Sequence, residues 1–347
     1  MSWCPSHARR STRAALAGLL MCALTCAGAG TVAADTSGPD PAPAATTSTA
    51  PADEEVSGLV DIGDGRKIYA ACKGTNARSG SPTVVLIAGK GNGADDWMSI
   101  LDPDDPAHDA PGDDLPWRNT GIERSSDSVF DQVSRSTRVC TYDRPDVRVK
   151  GPDVSTPRPQ PHSIDADVND LGAMLTALGE PGPYVLVAHS YGGLIATLYA
   201  RTHPQNIAGL VMVDAVTERM AEVAGAEAVK TWDASNAQTS PESREGVHIL
   251  DAFRKINAAP PPPAVPAVVL SADKPWRTDL LPPEAKKGEQ VTFEDWLVSQ
   301  QRLAESLDAR EHITNTDSGH DIYLYQPRLV IDAICDVVAA TPSPPAS

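Results

Sequence analysis

Residues 184–200 leave this chain few ways to fold. The apolar run Tyr184-Val185-Leu186-Val187 reads as a buried strand. Ala188-His189-Ser190-Tyr191-Gly192 then turns the chain, and Leu194-Ile195-Ala196-Thr197-Leu198-Tyr199-Ala200 continues as a helix. Small residues two places before and two places after Ser190 let the backbone bend sharply. Such a bend lifts a serine hydroxyl clear of the sheet and sets the amides of a helix N-terminus beside it. The first glycine of the usual Gly-x-Ser-x-Gly pattern is replaced here by Ala188, which is also small.

The rest of the chain alternates in the same way. Val56–Gly63 and Lys67–Cys72 read as a hairpin around Asp64-Gly65-Arg66. Thr83–Ala88, Arg138–Tyr142, Gly209–Val213, Val265–Ser271 and His312–Thr316 read as further strands. Ile164–Leu178, Phe293–Leu307 and Pro327–Ala340 carry helical spacing, the last burying Leu329, Val330, Ile331, Ala333, Ile334 and Val337 or Val338. A hairpin followed by alternating strands and helices predicts an α/β fold, its sheet mostly parallel with helices on both faces. In such sheets the chemistry gathers at the C-terminal ends of the strands. Ser190, Asp214, Asp273 and the Lys90 loop all fall there.

Composition divides the 347 residues into parts. Arg9, Arg10 and Arg13, an apolar stretch from Ala14 to Gly30 and the small residues to Ala34 read as a signal peptide, 1–34. The apolar run is short and rich in Ala and Gly, and no second hydrophobic span follows, so no membrane span is expected. Cys22 and Cys26 lie in poor contexts for lipid attachment. Residues 35–55 are a linker of Pro, Ala, Thr, Ser and Asp with too little apolar surface to order. One domain, 56–341, and a short tail, 342–347, complete the chain. Within the domain, 94–123 is an acidic, Pro-rich insertion and 216–263 a lid-like segment, both on the catalytic side. The aspartates at 102, 104, 105, 109, 113 and 114 lack calcium-loop spacing and read as a solvated acidic loop.

The net charge is −17, or roughly −20 once the three signal arginines are removed. That charge disfavours nucleic acid and anionic membranes as partners. Three cysteines, Cys72, Cys140 and Cys335, follow the signal peptide. An odd number excludes a disulfide-framework fold and leaves room for one bridge.

A serine nucleophile needs a base within reach, and the base needs an orienting carboxylate. His320, in a loop between the last short strand and the last helix, is the candidate base. His108, His162, His203, His248 and His312 read as surface or helix-end residues, and His189 as packing beneath the turn. Asp214 and Asp273 both keep the chain order Ser, Asp, His. The oxyanion hole needs two backbone donors: the N–H of Tyr191, and one from Gly89-Lys90-Gly91-Asn92-Gly93, either Lys90 or Gly91. That loop lacks the Lys-Ser/Thr pair and regular glycine spacing of a phosphate cradle.

Tyr142-Asp143-Arg144-Pro145, Pro181–Gly193 and Leu210–Asp214 together resemble the α/β-hydrolase superfamily, more narrowly its secreted, esterase- and lipase-like serine hydrolases. The resemblance covers about Val56 to Ala340. It implies an eight-stranded sheet, Ser190 as nucleophile, His320 as base and the loop amides as oxyanion hole. Most relatives place the acid after the later strand as Gly-x-x-Asp. Here that window is Ala272-Asp273-Lys274-Pro275, with proline at the expected position. A minority use the acid that ends the earlier strand, which favours Asp214 and keeps Asp273 as the alternative. Relatives often continue Gly-x-Gly-x-Ser beyond the Tyr142 strand, whereas this chain reads Asp146-Val147-Arg148-Val149-Lys150, so its site wall differs. The fold also implies that Cys72 and Cys140 lie on neighbouring antiparallel strands, as a disulfide or as two buried thiols. The expected activity is cleavage of a small-molecule carboxylic ester through an acyl-enzyme, without metal or organic cofactor. Lactonase, thioesterase, peptidase, carbon–carbon hydrolase or perhydrolase chemistry on the same triad is the alternative, as is a non-catalytic ligand-binding role.

Overall fold

The computed structural model describes residues 55–75, 81–101, 122–239, 244–275 and 288–341. The expected signal peptide, linker and tail lie outside these residues, apart from Glu55, as does most of the acidic insertion.

β1 (Val56–Gly63) alternates between half-buried and exposed positions, as an edge strand with one covered face must. It turns at Asp64 and Gly65, both at positive φ, into β2 (Arg66–Lys73). Positive φ at both turn residues matches the twist of the flanking strands, and so closes a two-residue hairpin without splaying it. β3 (Thr83–Ile87) is buried throughout and leads to a short helix, α1 (Ala94–Trp97). β4 (Ser99–Leu101) and β5 (Ile122–Arg124), at the two ends of the expected insertion, pair antiparallel.

α2 (Val129–Val133) precedes β6 (Val139–Tyr142). α3 (Ile164–Ala177) starts where the Ser163 hydroxyl accepts from the Ala166 amide, an N-cap. β7 (Tyr184–His189) runs into α4 (Gly192–Thr202), and β8 (Ile207–Val213) follows. The lid-like segment holds α5 (Ala226–Asn236) and α6 (Ile249–Ala258). β9 (Ala267–Leu270), α7 (Phe293–Ser306), β10 (Glu311–Ile313), α8 (Ile322–Tyr325) and α9 (Pro327–Ala340) complete the order.

Eight strands form one sheet in the order β1-β2-β6-β3-β7-β8-β9-β10. β2 runs antiparallel to both β1 and β6, and all pairs from β6 to β10 are parallel. One apolar layer packs α3, α4, α6 and α7 on one face; α2, α8 and α9 cover the other. Burial on both faces is why β3, β6, β7, β8 and β9 are continuously apolar or nearly so rather than alternating. α9 buries Val330, Ile331, Ala333, Ile334 and Val337, whereas Leu329 and Val338 stay at its margin. Cys72 on β2 faces Cys140 on β6 across the antiparallel pair, and the two form a disulfide.

Candidate active site

From Tyr184 to Arg201 every residue is buried except Ser190, which is half-exposed. The sheet and its covering helices bury both ends of this stretch, and the bend alone opens to solvent. Ser190 holds a φ of +50°, a left-handed conformation costly for a residue with a side chain. The turn is pinned from below. The Ser190 carbonyl accepts from the amides of Gly193 (2.9 Å) and Val216 (2.8 Å). Gly192 is needed by close approach, because a Cβ there would lie 2.5 Å from the Ile87 carbonyl oxygen. Gly89 is constrained likewise, since its Cβ would sit 2.9 Å from both Ser190 Cβ and His189 Nδ1. The loop after β3 therefore lies against the serine turn.

Asp214 ends β8 at a φ of +42° and is fully buried. Its Oδ2 lies 2.6 Å from His320 Nδ1. Its Oδ1 accepts from the Ala272 amide and from the Trp296 indole N–H, both at 2.9 Å. Three donors thus surround one carboxylate and fix its plane toward the imidazole. Asp273 is exposed, and its oxygens accept from the amides of Asp317 and Ser318, each at 2.9 Å. It shapes the loop that carries His320, in the turn-capping manner common for aspartates.

With Nδ1 committed to Asp214, His320 has Nε2 left to meet a hydroxyl. Its ring stands 4.6 Å from that of His189, the residue preceding Ser190, and 5.5 Å from Trp296 edge-on. Burial pushes the imidazole pKa down. The hydrogen bond and charge of Asp214, helped by Asp321, outweigh this and hold it above the ordinary value. His189 is buried as well, and burial with the neighbouring His320 keeps its pKa well below normal. Neutral, it donates from Nε2 to the His320 carbonyl at 3.1 Å, steadying the loop that carries His320. Asp321, 3.4 Å from His189 Nε2, is buried and its carboxyl is pushed up to about 7.

The amides of Lys90 and Tyr191 are engaged by no other group among the described residues. The Gly91 amide donates to Glu245 Oε2 at 2.6 Å and is not available as an oxyanion donor. The Lys90 ammonium reaches the Gln238 carbonyl (3.1 Å), with burial lowering its pKa.

Several residues at the site had no assigned role in the sequence. Arg144, expected only as part of a motif, is buried and pairs with Glu245 at 2.6 Å. Trp296 fell in a predicted helix with nothing to mark its indole for Asp214. His162 corrects the surface reading given above. It is fully buried, 3.3 Å from Asp167, which in turn accepts from the Tyr191 hydroxyl at 2.6 Å and from Arg158. The departing wall sequence has a structural use too: Arg148 bridges Asp143 (2.7 Å) and Asp95 (2.6 Å), and Asp143 holds the Ala94 amide. Among the described residues, no helix is long and apolar enough to cross a membrane.

Comparison with known proteins agrees with this architecture. A family model described as alpha/beta hydrolase fold matches residues 120–259. The chain is 29% identical over 151 residues to an uncharacterised protein of Schizosaccharomyces pombe, covering 43% of this chain and 26% of that protein. It is 38% identical over 74 residues to the lipase LipV of Mycobacterium tuberculosis, covering 20% of this chain and 28% of that one. The chain thus matches only about a quarter of the length of these curated relatives. Among solved structures, a putative lipase from Acinetobacter baumannii superposes with a TM-score of 0.51 at 16% identity, over 82% of this chain and 91% of that one. The chain has the α/β-hydrolase fold.

Proposed function

We propose that this protein is a secreted serine hydrolase that cleaves a small-molecule carboxylic ester. The observation that carries the reading is the 2.6 Å contact between Asp214 and His320, whose ring stands 4.6 Å from that of His189, the residue before the half-exposed Ser190. In this reading His320 Nε2 takes the Ser190 proton as Oγ attacks the ester carbonyl. The Lys90 and Tyr191 amides receive the oxyanion. Asp214 holds the imidazole in its Nδ1–H tautomer and stabilises the imidazolium. Collapse of the tetrahedral intermediate, with the His320 proton passing to the departing alkoxide, leaves an acyl-serine. Water, deprotonated by the same histidine, then releases the acid and restores Ser190. No step calls on a metal or organic cofactor.

Two further observations support parts of this reading. The short match to a named lipase and the fold shared with a putative lipase favour esters over other acyl substrates. The Cys72–Cys140 disulfide suits an oxidising compartment and hence export. The test is a panel of p-nitrophenyl esters of graded chain length, lactones and aminoacyl amides, with Ser190→Ala as control. Turnover of esters by wild type alone is expected. Turnover confined to lactones or amides would replace the ester assignment, and no turnover of any would favour a binding role.

A further inference from the structure

The peptide plane between Gly89 and Lys90 carries the proposed oxyanion donor at one end and a carbonyl at the other. In a trans peptide the C=O and N–H point in opposite directions. The cis bonds among the described residues lie elsewhere, before Pro161 and Pro183. Whatever holds the Gly89 carbonyl therefore aims the Lys90 N–H. That carbonyl accepts from Arg144 Nη2 at 2.5 Å and from the Asn92 amide at 3.1 Å. Arg144 Nη1 holds the preceding carbonyl, that of Ala88, at 2.8 Å. On the far side of Lys90, the Gly91 amide is held by Glu245 Oε2 at 2.6 Å.

Arg144 and Glu245 are themselves joined. Nε meets Oε1 at 2.6 Å and Nη2 meets Oε2 at 3.1 Å, the two-pronged arrangement that a guanidinium makes with a carboxylate. Both side chains are almost completely buried. The guanidinium also stands 5.5 Å from the Tyr191 ring centroid, over the residue that supplies the second proposed donor. Glu245 comes from the segment between β8 and β9, docked here through the Arg244 amide on the Asp146 carbonyl (3.0 Å) and the Gly246 amide on Gln160 (2.7 Å).

We propose that Arg144 and Glu245 are positioning residues that lock the Gly89–Lys90 peptide with its N–H turned toward the reacting carbonyl, so that docking of the segment carrying Glu245 completes the oxyanion hole. A flipped peptide would present a carbonyl oxygen to the developing negative charge instead of a donor. The pair acts on the transition state, where the charge appears, and not on ground-state binding.

The proposal rests on the serine-hydrolase reading, and its test separates the two. Arg144→Lys keeps the charge but loses the fork; Glu245→Gln keeps the shape but loses the charge. Each is measured for kcat and KM on the best ester of the panel, for inhibition by a trifluoromethyl ketone that mimics the tetrahedral intermediate, and for thermal melting. Removal of one oxyanion donor lowers kcat about 10²- to 10³-fold. Arg144→Lys is expected to approach about 10²-fold, with KM within about twofold and ketone affinity falling in parallel. Glu245→Gln, which can still accept from the Gly91 amide, is expected to lose about 10-fold in the same pattern. Folded variants that keep kcat, or that raise KM with kcat unchanged, would overturn the proposal. So would collapse of both variants, which would make the pair a folding element. Wild-type protein with no turnover and no fluorophosphonate labelling would instead sink the serine-hydrolase reading beneath it.

Discussion

The two flanks of Ser190 are built in different ways. On the proposed acid–base flank, Asp214 follows β8 and His320 lies in the loop between β10 and α8, the two joined at 2.6 Å. Strand order brings the two segments near each other, and Asp273 and His189 hold the His320 loop. On the proposed oxyanion flank, the loop after β3 is irregular, and its backbone is hydrogen-bonded by a buried side-chain pair 101 positions apart in sequence. The contrast teaches where each flank is vulnerable. The first should fail through loss of a chemical group, the second through loss of a clasp that never touches substrate.

The largest expected effect divides the two aspartates. Asp214→Asn should lower kcat by about 10⁴-fold, because the amide stabilises the wrong imidazole tautomer. Asp273→Asn, whose oxygens serve only a turn, should stay within about threefold, as surface changes of this kind cost little. Steady-state kinetics on one ester checks both. Reversal of the two results would move the acid to Asp273.

A smaller effect concerns Asp321. Burial raises its carboxyl to about 7 in the folded protein, against an ordinary 3.8. The folded state therefore binds this proton more tightly than the unfolded one. Its contribution to stability is full below about pH 4 and is lost as pH climbs to about 7. Asp321→Asn, which stays neutral, should then melt higher than wild type at pH 8, by roughly 2–4 kcal/mol. At pH 4 the two should be alike. The same variant removes a negative charge that raises the His320 pKa. In wild type, kcat/KM should climb with pH through a value above 6.5, as His320 loses its proton and becomes a base. In the variant that limb should move to lower pH. A pair of melting curves and a pH–rate profile measure this, and an unmoved limb would separate Asp321 from the base.

The smallest effect sharpens the acid flank. Trp296→Phe keeps an aromatic ring but removes the indole N–H from Asp214 Oδ1. A hydrogen bond to a charged group is worth about 1.5–3 kcal/mol, so kcat should fall about 10-fold with KM nearly unchanged. An unaltered kcat would mean that Ala272 and His320 alone hold the carboxylate.

The same division governs how much could be read from the chain. The sheet was legible because short apolar runs alternate with longer amphipathic helices, save for the short β4–β5 pair of the insertion. Asp214 was legible as a strand-terminal acid, though only the structure shows three donors converging on it. Arg144 stood in a quoted motif, and a charged residue just past a buried strand was a signal that it needed a partner. Glu245 carried no such signal. It lies in a polar stretch where charge reads as solvated, and nothing local says that it turns inward. His162 misled in part for the same reason, since Asp146 and Glu245 come from other segments, although Asp167 lies only five positions on, in α3.

The most direct measurement is fluorophosphonate labelling of the purified protein, followed by peptide mapping. Stoichiometric modification at Ser190 is expected, abolished in Ser190→Ala and strongly slowed in Asp214→Asn. Folded wild-type protein that takes no label, or takes it at another residue, would contradict the assignment of Ser190 as nucleophile.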